Sequence, residues 1–230
     1  MTRSLSVLLL LLFIALPLYA DEPLPFTKGE TIKYTIKKFG ASGRATLTFQ
    51  GRETINGRET YLIVFHADGF KFYDEEKIYV DTKTYAPVAV LRDINIFGKK
   101  EKISEEYLSS EGKIRITKIV GDKTTVETID KKGQVDNIYG AIYRYRQSGS
   151  FKLGDQMHLR LPTKDITLKL LKMDQVKAGG KKYSAFYMES VPSAYMVWFD
   201  TSPKRIPLRI TGTAGMGSTN MIITEYKERE

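Results

Sequence analysis

The chain holds two imidazoles, His66 and His158. Neither has a second nitrogen or sulfur ligand at metal-binding spacing, and a zinc site needs more such ligands than these residues leave. Each reads as a structural strand histidine. No Gly-x-Ser-x-Gly elbow presents a serine nucleophile, and only a Ser-His-Asp arrangement in another chain order stays open. With no cysteine in the sequence, thiol catalysis, thiolate metal ligation and disulfide staples are excluded. The tract Gly212 to Ser218 has a phosphate-loop look but lacks the required order and the following lysine. It also precedes a strand, so it reads as a glycine-rich hairpin or kink. The acidic clusters Asp74-Glu75-Glu76 and Glu105-Glu106 lack calcium-loop spacing and are expected to be solvated strand ends. No cofactor or metal is expected.

Two aromatic and basic tracts remain, Gly69 to Tyr73 and Tyr139 to Arg146. Aromatic rings beside guanidinium groups suit the mouth of an apolar cavity and hold anionic head groups. Phe70, Phe72, Tyr139, Tyr143, Arg144 and Arg146 are therefore the candidate ligand-binding residues. Residues four apart share a helix face, so Tyr139 and Tyr143 would turn toward the cavity together. Arg144 or Arg146 would sit near the head group, and Phe70 and Phe72 would form a facing wall. The competing reading is that these aromatics simply pack a helix across an open end of a sheet.

The elements that must position these residues follow a period of two past Pro25. Ile32, Tyr34 and Ile36 alternate with polar neighbours, as do Ala45, Leu47 and Phe49, which predicts strands with one wet face. Asn56-Gly57 suits a type I′ hairpin turn. Short segments continue through Ile78 to Val80, Val88 to Leu91, Ile103 to Leu108, Ile114 to Ile119 and Thr124 to Ile129. One interruption spans Asp136 to Gln147, where Ile138, Ile142 and Tyr145 recur at helical spacing, with Asp136 or Asn137 placed to cap and Gly149 to terminate. The alternation then resumes to Tyr226. About twelve strands and one short helix predict a mainly β protein, a strongly curved antiparallel sheet or open barrel in one domain. Trp198 is expected as a core anchor that shares a face with Met196, opposite Val197 and Phe199.

Ser4 to Pro17 form an apolar run behind Arg3, followed by the small residue Ala20. This predicts a secretory leader over residues 1–20 and an exported, periplasmic domain over 21–230. The leader offers no lipidation cysteine, and its apolar core is too short to span a membrane, so a soluble protein is expected. The chain carries 36 Lys and Arg against 27 Asp and Glu, a net charge of +9. Anionic partners are favoured, such as a lipid or an anionic envelope glycan, while nucleic acid is excluded by the expected address.

Three segments also recur together in chain order: Gly29-Glu30-x-x-Lys33-Tyr34, the tract Asp136 to Arg146, and Val197-Trp198-Phe199-Asp200 with Arg205-Ile206-Pro207-Leu208-Arg209-Ile210. In these the chain resembles an exported bacterial family called domain of unknown function 3108, over nearly all of residues 24 to 228. That family often carries Asp-Pro-Leu-Ser before the helix, where this chain has Gln134 to Asn137. The resemblance implies an exported, mostly antiparallel β protein without established catalytic residues. Its architecture is also similar to the lipoprotein-carrier fold, an open barrel around a helical plug, which is a fold-level likeness alone.

The expected function is therefore non-catalytic: a periplasmic binding or carrier protein for a lipid or other amphiphilic envelope component. The alternative is an envelope-biogenesis interaction module that holds a protein partner or an anionic glycan. A cell-wall hydrolase is the third class, for which no carboxylate pair stands out in the sequence.

Overall fold

The computed structural model describes residues 24–38, 40–213 and 218–228, so the expected leader lies outside the described residues. Fourteen strands form one antiparallel sheet. They are β1 (Glu30–Lys38), β2 (Ala41–Ile55), β3 (Arg58–Gly69), β4 (Phe72–Val80), β5 (Pro87–Ile96), β6 (Lys99–Leu108), β7 (Lys113–Val120), β8 (Lys123–Asp130), β9 (Gln156–Leu161), β10 (Lys164–Ala178), β11 (Lys181–Val191), β12 (Tyr195–Asp200), β13 (Pro207–Thr213) and β14 (Ser218–Lys227), with one helix, α1 (Ile138–Ser148), between β8 and β9. The alternating segments read from the sequence all become strands, two more in number than the estimate of about twelve.

The sheet order is β8-β7-β6-β5-β4-β3-β2-β1-β14-β13-β12-β11-β10-β9. Each strand pairs with the next in sequence, except that β8 does not pair with β9, and β1 also pairs with β14, which joins the first strand to the last. The two edges are β8 and β9, and the sheet does not close between them. Residues 131–155 connect these edges, and α1 is carried across the concave side. The expected open barrel with one helix is what forms.

Alternation decides which side chains fill the interior. Ile32, Tyr34 and Ile36 on β1 and Ala45, Leu47 and Phe49 on β2 are buried, and their sequence neighbours face outward. Asn56 and Gly57 both adopt left-handed φ, 52° and 74°, which gives the tight turn that the Asn-Gly pair favours. Phe72 shows why glycine is needed elsewhere. A Cβ on Gly69 would lie 2.3 Å from its ring, and one on Gly43 2.7 Å from it.

Helix α1 fills the concave side. Asn137 caps it, its Oδ1 accepting from the Tyr139 amide at 2.9 Å and the Gly140 amide at 3.4 Å. Asp136 takes another task, accepting from the Arg160 amide on edge strand β9 at 2.9 Å while its own N–H donates to the Arg160 carbonyl. Gly149 ends the helix, and its N–H donates to the Tyr145 carbonyl at 2.8 Å. Ala141, Ile142, Tyr143 and Tyr145 are buried against the strands.

Trp198 is buried and does lie opposite Val197 and Phe199, but it faces the convex side. There its indole N–H donates to Asp174 at 3.0 Å, Tyr187 packs 4.8 Å away, and the Arg209 guanidinium covers its ring at 4.7 Å. A bulge between Leu170 and Lys172 shifts the register of β10 beside this cluster. Val176 and Ala178 beyond it are buried.

Candidate functional site

Inside the curved sheet lies a cavity of about 310 Å³, bounded by β1, β3 to β6, β12 to β14, the start of α1 and the β9–β10 turn. Its lining reaches Pro162 and Thr163 in that turn. The cavity therefore lies toward the end of the sheet that carries the turns after β1, β3, β5 and β7.

The sequence tracts meet this cavity unequally. Tyr139 lines it, its ring stacked on Phe65 with centroids 4.9 Å apart and planes 17° apart. Tyr143 does not, although it is four residues further along the helix. It is fully buried between Phe26 and Phe49, with centroids 4.8 and 5.5 Å away. Arg146 is buried too, and its two terminal nitrogens donate to the two oxygens of Glu30 at 2.6 and 2.8 Å. Its Nε donates to the Lys204 carbonyl at 3.1 Å. Burial alone would lower the Arg146 pKa, but the Glu30 carboxylate outweighs it and raises the value, so the guanidinium stays charged. Arg144 is held by Asp136 at 2.8 Å. Phe72 packs on glycines in the interior, and Phe70 stands at the tip of the β3–β4 hairpin, 71% exposed. Of the six candidates, Tyr139 alone lines this cavity, and both helix guanidinium groups are engaged by carboxylates of the chain itself.

The cavity wall is made instead by the acidic clusters. Asp74 is buried, with its oxygens accepting from Arg92 Nε at 2.8 Å and Nη2 at 2.7 Å. Glu76 lies 4.0 Å from Arg92 Nε and accepts from Asn137 Nδ2 at 3.1 Å. Glu105 accepts from the Tyr107 hydroxyl at 2.5 Å. This corrects the reading of both clusters as solvated strand ends. Only Glu75 and Glu106 face outward, beside His66 and Arg115. The parity of β4 holds the missed signal: Asp74 and Glu76 share a face with Phe72 and Ile78, whose apolar side chains mark it as inward.

Four carboxylates, from Asp74, Glu76, Glu105 and Asp136, line the cavity against two cations, Arg92 and Lys164. In a chain of net charge +9, this interior is locally acidic. Burial raises the pKa of Glu76, and Asp74 and Glu105 raise it further, against partial relief from Arg92 and Asn137. Burial, then Glu76, drives the Tyr139 hydroxyl well above its usual range, and the same two causes raise Tyr195. The phenols stay protonated donors. Such a wall accepts hydrogen bonds from hydroxyl or ammonium groups, and the faces of Phe65, Tyr139, Tyr107 and Tyr195 supply apolar and cation–π surface. His66 and His158 take no part; His158 Nδ1 is 2.9 Å from the Thr167 hydroxyl, and no group of metal ligands occurs among the described residues.

An open, barrel-like antiparallel sheet with a helix laid across its concave side and an acidic, aromatic cavity beside that helix defines the class of protein. The chain belongs to the family of proteins of unknown function called DUF3108, whose model matches residues 25–224. Among solved structures it is similar to a β-barrel-like protein of the DUF1849 family from Brucella abortus. That similarity has a TM-score of 0.52 at 11% identity and covers 89% of this chain and 99% of the other. It shows a shared fold. No curated protein matches the chain. Among the described residues no helix is long and apolar enough to cross a membrane.

Proposed function

We propose that this is a non-catalytic binding protein of the bacterial envelope that holds part of an amphiphile in the cavity beside α1. The observation that carries the proposal is the wall itself, stacked aromatic faces beside carboxylates that outnumber their cations. The volume of about 310 Å³ is at the lower end of the roughly 300–1,000 Å³ range of ligand pockets. It suits a head group with its first carbons rather than a whole lipid. Because Arg144 and Arg146 are engaged by Asp136 and Glu30, the head group favoured here carries a hydroxyl or protonated amine instead of an anion. Binding a cation would relieve the repulsion among Glu76, Asp74 and Glu105.

Calorimetric titration with octylamine and octanoate tests this. Octylamine is expected to bind more tightly than octanoate, and Glu76→Gln and Tyr139→Ala are each expected to weaken it by about tenfold, the effect of losing one charged or stacking contact. Octanoate binding more tightly, or neither compound binding, would remove the proposal.

One observation favours the interaction-module reading. Edge strand β8 is exposed along nearly its whole length, whereas β9 is blocked at Arg160 by Asp136. A bare edge of this kind accepts a partner strand.

A further inference from the structure

The tip of the β5–β6 hairpin contradicts ordinary turn chemistry. Phe97 and Gly98 have φ of 52° and 85°, nearly the pair found at Asn56 and Gly57, 52° and 74°. Asparagine is a natural occupant of the first position and a bulky aromatic is not. Phe97 is nevertheless 62% exposed, so much of this aromatic residue meets solvent at the hairpin tip.

The neighbouring β3–β4 tip repeats the pattern with Phe70, 71% exposed, followed by Lys71 at a φ of 57°. The Phe97 N–H donates to the Lys71 carbonyl at 2.8 Å, which binds the two tips into one unit. Exposed Lys71, Lys99 and Lys100 surround it, with the Lys71 ammonium 5.1 Å from the Phe70 ring. Of the acidic groups within four residues of Phe70 or Phe97, Asp68, Asp74 and Glu101 are engaged by Arg44, Arg92 and Lys118, and Asp93 is exposed on β5. Both tips belong to the end of the sheet toward which the cavity lies. The hairpin turns of the opposite end are polar or glycine-rich, as at Asn56-Gly57 and Gly179-Gly180.

We propose that these paired tips dock the protein on an anionic lipid bilayer, with Phe70 and Phe97 entering the head-group region and Lys71, Lys99 and Lys100 meeting lipid phosphates. Aromatic and lysine side chains on one rim match an interface that is apolar below and anionic above. The inference rests on the amphiphile-binding reading for the reason a bilayer is visited, and it places the cavity end of the barrel next to the source of its ligand.

Co-sedimentation with vesicles of equal parts phosphatidylglycerol and phosphatidylcholine tests it, against vesicles of phosphatidylcholine alone. The wild type is expected to bind the anionic vesicles, less so at high salt. Phe70→Ser/Phe97→Ser and Lys71→Glu/Lys99→Glu/Lys100→Glu are each expected to lower that binding by about tenfold or more. These side chains are exposed, so the variants are expected to keep the wild-type thermal midpoint and octylamine titration. Leu153→Ser, at the other end of the sheet, is expected to bind vesicles normally. Failure of the wild type to bind anionic vesicles, or binding that both rim variants retain, would overturn the docking proposal even if octylamine binds. A rim that captures another protein instead would appear as the first of these results. Vesicle binding without octylamine binding would leave docking standing and remove the cavity reading.

Discussion

Arg146 and Glu30 illustrate how burial reassigns a residue's role. In sequence Arg146 is one of two arginines in an aromatic helix. In the structure its side chain and that of Glu30 are wholly enclosed, with the Tyr226 hydroxyl donating to Glu30 at 3.0 Å and Phe26 stacked 4.9 Å from the guanidinium. Removing one partner leaves an uncompensated charge in a low-dielectric interior. Arg146→Met is therefore expected to cost about 3–5 kcal/mol in urea unfolding, and Glu30→Leu/Arg146→Met to recover much of that loss. A single-variant cost below about 1 kcal/mol, the level of an exposed pair, would show that water reaches the site.

At the scale of elements, α1 is fixed by what it touches more than by its own propensity. The sequence predicts its span, its cap and its end, and Asn137 and Gly149 take the expected places. What the sequence does not show is how closely the helix sits against the β4–β5 connection. A Cβ on Gly140 would lie 2.7 Å from the Tyr85 carbonyl oxygen and 3.2 Å from Val80. Gly140→Ala ought to stabilise an isolated helix by about 1 kcal/mol. Here it is expected to destabilise the protein by about 1–3 kcal/mol through the backbone clash. Chemical denaturation decides the sign, and a gain in stability would mean that the helix can lift from the sheet. Asn137 also ties the element to the cavity, because its Oδ1 caps the helix while its Nδ2 holds Glu76.

The described residues form one sheet around one core cluster, which runs from Phe26 through α1 to Ile223. Its two halves, β1 to β8 and β9 to β14, meet at the β1–β14 pairing, and α1 touches both β4 and β9. Trp198, the chain's single tryptophan, reports from the second half. Equilibrium unfolding followed by its fluorescence and by far-ultraviolet circular dichroism is expected to give coincident transitions. Separate midpoints would show that the halves unfold independently and that the helix does not couple them.

Local chemistry made much of this legible in the amino-acid sequence. Side chains alternate across any strand, so the strands, their inward faces and the antiparallel open-barrel class follow from a period of two. The helix follows from the one break in that period. The site does not follow, because a strand's parity says which side chains share a face but not what that face encloses. Asp74 and Glu105 are 31 positions apart and become cavity neighbours only when β4, β5 and β6 lie side by side and the sheet curls. Tyr139 and Tyr143 have the spacing to act together, yet one meets the cavity and the other is packed between Phe26 and Phe49. Phe70 and Phe72, two residues apart, are separated by a turn that leaves one in solvent and the other in the core. Long-range packing, which sets which charges are buried and which rings remain outside, is decided by how the open sheet curls around its helix.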